Sequence, residues 1–77
     1  IQRRPEEIGA RDGLARVLLL QGRVEDSILE WKEAIAIAPA NAVLHLGLAQ
    51  AYQRAGRSAD EQLERTIAEN LLAPSTR

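Results

Sequence analysis

The chain of 77 residues has no cysteine, methionine or phenylalanine, and its only aromatic side chains are one tryptophan and one tyrosine. Without cysteine there is no disulfide framework and no thiolate metal site. A chain this short must therefore draw its stability from helix packing or from neighbours. His45 is the only histidine, so no Cys–His nucleophile–base pair can form. Neither sign of charge dominates: 10 Lys+Arg stand against 11 Asp+Glu, a net of −1. That balance argues against a nucleic-acid surface, which needs a basic face. No aliphatic run, Val17–Leu20 included, is long enough to span a membrane. No signal peptide is visible, and Ile1 implies that the natural start lies upstream. The absence of cysteine fits cytosol, periplasm or a secreted fragment equally. Nine arginines against one lysine point weakly to a bacterial source of high GC content.

What is present is helix-forming. Hydrophobic residues make up 45% of the chain, and apolar positions recur with a helical period almost throughout. Breakers at Pro5, Gly22, Pro39, Gly56 and Pro74 leave four segments, near 6–20, 24–38, 42–55 and 59–72. Asn41 is placed to cap the third segment, and Ser58-Ala59-Asp60-Glu61 reads as a capping box for the fourth. Gly22 and Gly56 each follow a helix and can adopt the left-handed turn that ends it. Gly9 and Gly13 weaken the first helix by about 1 kcal/mol each relative to alanine.

The segments repeat. Gly22 and Gly56 are 34 residues apart, as are Pro5 and Pro39. Laying 8–41 on 42–75 matches Gly13/Gly47, Leu14/Leu48, Ala15/Ala49, Gly22/Gly56, Arg23/Arg57, Asp26/Asp60, Leu29/Leu63, Glu30/Glu64 and Ala34/Ala68. About three identities are expected by chance from this composition, so the nine observed establish a period.

A helix–turn–helix unit of that length resembles the tetratricopeptide repeat, W-x₂-L-G-x₂-Y, A-x₃-F, then P. In 8–41 the Leu-Gly place holds Leu14-Ala15 and the Tyr place Leu18. The Ala-x₃-Phe place holds Ser27 and Trp31, followed by Ala34 and closed by Pro39. In 42–75 the first helix carries Leu48-Ala49 and Tyr52. The opening Trp is replaced by Arg11 and His45. The resemblance implies an all-α fold of tandem antiparallel helical hairpins, stacked as a right-handed solenoid. It divides the chain into 1–7, the end of a preceding repeat or an extension, then repeats 8–41 and 42–75, then a tail 76–77.

The fourth helix departs from the pattern, with Glu61 and Arg65 at the Ala and Phe places and Pro74 one residue late. An apolar stripe, Ala59, Leu63, Ile67 and Leu71, runs along it with Ala68 and Leu72 alongside, while Glu61, Arg65 and Glu69 offer i,i+4 pairs. Two arrangements are open: a rotated helix, or a solvated end. In register, Pro5 closes an earlier unit and Pro74–Arg77 opens a later one, so the chain reads as an excerpt from a longer array.

Enzymatic chemistry is not indicated, and neither a cofactor nor a metal is implied. His45, at a packing-aromatic place, reads as a helix-face or groove residue. Ser27 and Ser58 read as a packing residue and a cap. Glu25, Asp26, Glu30 and Glu33 are flanked by Arg23 and Lys32 and read as a solvated face. Gly9 and Gly13 lie in a helix with no following Lys-Ser/Thr and cradle no phosphate. A lone Trp31 is either an interface anchor or a core residue, and Ile28, Ala34 and Ile35 around it assign it to the core.

By resemblance, the first helix of each unit lines a concave groove that holds a peptide or a partner helix. The groove places are Asp12, Arg16 and Leu19, then Val43, Leu46, Gln50, Gln53 and Arg54. Chaperone-tail recognition uses Lys and Asn there, and Asp12/Arg16 with Leu46/Gln50 exclude it. A protein–protein interaction scaffold is the leading expectation. The alternatives are a self-associating or spacer module that buries the stripes of its first and last helices between chains, and an accessory piece of a larger enzyme.

Overall fold

The computed structural model describes residues 5–73. The described residues form helices α1 (Pro5–Leu20), α2 (Val24–Ile37), α3 (Ala42–Arg54) and α4 (Ser58–Leu72). Every boundary lies within one residue of the breaker-delimited segments. Pro5 is the first residue of α1, where its missing N–H costs nothing. Ile1–Arg4 and Pro74–Arg77, and with them the expected neighbouring units, lie outside the described residues.

Both glycine turns close as expected. Gly22 (φ 81°) and Gly56 (φ 73°) take the left-handed conformation. The N–H of Arg23 bonds the Leu18 carbonyl (2.9 Å) and that of Gly22 the Leu19 carbonyl (3.0 Å); Arg57 to Tyr52 and Gly56 to Gln53 repeat the pattern. Asn41 caps α3 by accepting from the Val43 N–H at 3.1 Å.

The capping box at Ser58 does not form. The Gly56 turn makes Arg57 the N-cap, so Ser58 falls one residue inside the helix and no side chain caps it. Arg57 instead pairs with Asp60 at 2.9 Å, as Arg23 does with Asp26 at 2.8 Å, which holds a carboxylate at each positive helix start.

Helices α1 and α2 form one antiparallel hairpin, α3 and α4 the next, and α2 lies between the two hairpins against α3. Helix α1 also touches α3, whereas α2 and α4 do not meet. The side carrying α1 and α3 is therefore the closed, inner one. The Cα trace measures 42 × 33 × 15 Å, thin enough for two helix layers 8–10 Å apart.

Trp31 is fully buried at the centre of a core built from Ala15, Leu19, Ile28, Ala34, Leu44, Leu48, Ala51 and Tyr52. Gly47 of α3 lies directly against its indole ring, and a Cβ added there would come within 2.6 Å of Cζ2 and Nε1. Ala15 and Ala49, at the small-residue place of each hairpin, are also buried.

Helix α4 is not rotated. Ala68 is fully buried, as is Ala34 at the equivalent place of α2, and Leu63 is as exposed (58%) as Leu29. Of the expected apolar stripe of α4, Ala59, Leu63 and Leu71 therefore face outward, as does Leu72, while Ile67 is half-buried. Arg65 pairs with Glu61 at 2.6 Å rather than with Glu69.

At Gly9 and Gly13 an added Cβ meets nothing within 4 Å. Gly9→Ala and Gly13→Ala are each expected to stabilise the fold by about 1 kcal/mol through helix propensity alone. Thermal melts of the two variants check this.

Candidate functional site

Each hairpin is cross-linked by side chains 19 residues apart. Arg11 reaches Glu30 at 3.2 Å, the Trp31 Nε1–H donates to Asp12 Oδ1 at 2.7 Å, and His45 Nδ1 lies 2.7 Å from Glu64 Oε1. The first and third are the same contact in successive hairpins, since Arg11/His45 and Glu30/Glu64 are each separated by one repeat. The repeat equivalent of Asp12–Trp31 is Leu46–Arg65, and those two side chains line one depression.

His45 is not a groove residue. It is buried, with Nε2 2.8 Å from the Pro39 carbonyl oxygen and Nδ1 against Glu64. It ties α4 and the α2–α3 turn to α3. The opening-aromatic place is thus filled by a hydrogen-bonded ring rather than an apolar one. The carboxylates of α2 are likewise engaged: Arg11 bridges Glu30 and Glu33 (2.7 Å to the latter), and Arg23 holds Asp26.

Three adjoining depressions run along the inner side. The first, about 290 Å³, is lined by Arg16, Leu19 and Leu20 of α1 and Gln50, Gln53 and Arg54 of α3. The second, about 360 Å³, shares Arg16, Gln50 and Gln53 with it and adds Val43, Leu46, Gly47 and Arg65. The third, about 340 Å³, lies around Asp12 and Val43, with Ile8, Gly9, Asn41 and Leu44. All eight residues expected in the groove line one or more of them.

Their roles differ from the sequence reading in two places. Leu19 belongs to the core and offers only its edge to the first depression. Asp12 is occupied: one oxygen accepts from Trp31, the other from Arg16 Nε at 3.1 Å. The Arg16 guanidinium carbon stands 6.0 Å from the centre of the Trp31 ring. A core aromatic and its carboxylate partner therefore orient Arg16, which lines two of the depressions. Arg54 makes one long bond, 3.4 Å from Nη2 to the Leu19 carbonyl.

Leu20 and Arg65 line the depressions without having been singled out as groove residues. Leu20 is one turn from Arg16 and 81% exposed. Arg65 comes from a second-layer helix, and the 19-residue offset from Leu46 is the signal that finds it.

The family model described as TPR repeat matches residues 15–56, more than half of the chain. The chain belongs to the TPR-repeat family. Its four described helices make about two TPR repeats. The match runs from the buried Ala15 of α1 to the Gly56 turn and stops before α4, the helix whose residues depart from the TPR pattern. Comparison with curated proteins and with solved structures gives no match. TPR repeats are generally protein–protein interaction modules, and the family is typically a non-enzymatic scaffold. No helix among the described residues is long and apolar enough to cross a membrane.

Proposed function

We propose that the inner α1/α3 face is a groove for an extended peptide segment of a protein partner, presented by two repeat units spanning 8–41 and 42–75. The observation that carries this reading is the continuous depression shared by Arg16, Gln50 and Gln53, which joins a part lined by Arg54, Leu19 and Leu20 to one lined by Val43, Leu46 and Arg65. Arg54 has a single long bond, and the terminal nitrogens of Arg16 have no acceptor among the described residues, so forked donors remain for a carboxylate. Gln50 and Gln53 each offer a donor and an acceptor to a peptide backbone. Val43 and Leu46 receive an apolar side chain.

The spacing sets the peptide's pattern. Leu46 and Arg54 are eight residues apart on one helix, about 12 Å. An extended chain covers that in about four residues. The groove therefore suits an acidic residue about four positions from an aliphatic one.

Peptides of that pattern, selected from a displayed library, are expected to lose about tenfold or more in affinity with either Arg54→Glu or Leu46→Asp. Far-ultraviolet circular dichroism should stay unchanged, because both side chains are exposed. Affinity undiminished by both substitutions contradicts the groove. Binding through Arg54 should also weaken as ionic strength rises.

A further inference from the structure

The two hairpins are fastened at equivalent places by cations of different kinds. In the first, Arg11 holds Glu30 at 3.2 Å and Glu33 at 2.7 Å, and its guanidinium stays charged at any ordinary pH. One repeat on, the cation place is His45, Glu30 becomes Glu64, and Glu33 becomes the uncharged Ile67. The second hairpin is thus closed here by one titratable ring and one carboxylate, 2.7 Å apart.

The surroundings of the ring fix how many protons it needs. Nε2 lies 2.8 Å from the Pro39 carbonyl oxygen, which can only accept, and Nδ1 lies 2.7 Å from Glu64 Oε1. A neutral imidazole has one N–H, so either tautomer sets a lone pair against an oxygen. Both contacts are satisfied together only when the His45–Glu64 pair holds one more proton than a neutral ring beside a carboxylate. The two side chains are 7% and 14% exposed, so an unmatched lone pair there is costly. No other charged side chain of α1, α2 or α4 bonds the ring. Asp12 pairs with Arg16, Glu30 and Glu33 with Arg11, and Glu61 with Arg65, while Lys32 and Glu69 are exposed.

We propose that His45, Glu64 and the Pro39 carbonyl form a proton-operated latch that fastens α4 and the α2–α3 turn to α3 and releases as pH rises. With the latch closed, the folded chain keeps a proton that an ordinary histidine gives up at about pH 6.5. The folded state therefore binds more protons than the unfolded one above that pH. The stabilisation is complete below it and is lost progressively above it. The first hairpin, closed by Arg11, keeps its fastening throughout. Release loosens the helix that carries Arg65 to the second depression. The latch lies outside the three inner depressions and does not rest on the groove reading.

His45 is the only histidine and cysteine is absent, so no other side chain ordinarily titrates between about pH 5 and 8. The unfolding constant of the intact chain, from urea melts, should rise about tenfold or more between about pH 6 and pH 8.5. His45→Arg copies the Arg11 place and should remove most of that dependence. Glu64→Gln offers the neutral ring an amide N–H and should remove most of it too, which keeps the test open if the arginine variant folds poorly. Both variants leave the α-amino group untouched, so its own titration is separated. Amide shifts that follow the same pH change should include Glu64 and, across the turn, Ala40 and Asn41. Three results overturn the latch: an unfolding constant that changes less than about twofold, a folded variant that retains the parent's dependence, and shifts confined to α3.

Discussion

Trp31→Ala is expected to remove about 3–5 kcal/mol of stability. A chain of this length has only about 4–12 kcal/mol in total, so the loss takes between about a quarter and all of it. The indole is fully buried and touches the core from the centre, which makes the cavity left behind impossible to close from one side. Its loss also strips Asp12 of the indole N–H donor and leaves that carboxylate to Arg16 alone. At about 4–8 °C per kcal/mol for a domain this size, the melting temperature should drop by at least about 12 °C. Trp31→Phe separates the two contributions. It retains most of the ring packing and loses the Asp12 bond, so it should cost clearly less than alanine. A Trp31→Ala melt superimposable on the parent would mean that the ring is not the centre of the core.

The second large effect is at Gly47, and its sign is the informative part. Alanine is the better helix former by about 1 kcal/mol, so Gly47→Ala would stabilise the chain if local propensity decided. The new methyl, however, falls on the Trp31 ring, with Cζ2 and Nε1 2.6 Å away. Neither neighbour can yield cheaply: the ring is enclosed on all sides, and the helix backbone is held by the hairpin. Overpacking of this kind costs about 1–3 kcal/mol. The clash should therefore win, and Gly47→Val should destabilise further because its branch adds volume at the same spot. The equivalent substitution one repeat earlier, Gly13→Ala, meets open space and should stabilise. Two identical changes at repeat-equivalent places are thus expected to have opposite signs, and paired thermal melts decide it. Stabilisation by both would show that α2 does not press its tryptophan on α3.

Helix positions were legible from glycine, proline and Asn41 because each acts within a turn of the chain: a positive φ, a missing N–H, an amide-capping oxygen. The burial of Trp31 was legible from its apolar neighbours at helical spacing. The capping of α4 was misread because Ser58 is the residue type that caps well, while the turn around Gly56, not the side chain, made Arg57 the N-cap. The roles of His45 and Asp12 were hidden for a different reason. Each is fixed by a partner 19 residues away, across a hairpin whose register is set by helix packing. Gly47 was matched as one of the repeated glycines, but its contact with Trp31 depends on how one hairpin stacks on the next. For the proposed groove, the spacing on α1 and α3 placed side chains on one face, while the second-layer Arg65 was out of reach of single-helix periodicity.

The most direct test of the functional account is a two-dimensional amide spectrum of the chain titrated with a peptide selected for binding. The account predicts shifts concentrated at Arg16, Gln50, Gln53 and Arg54, with smaller ones at Val43 and Leu46. Shifts centred instead on the outer faces, at Leu29 and Leu63, with the inner residues unmoved, would contradict it.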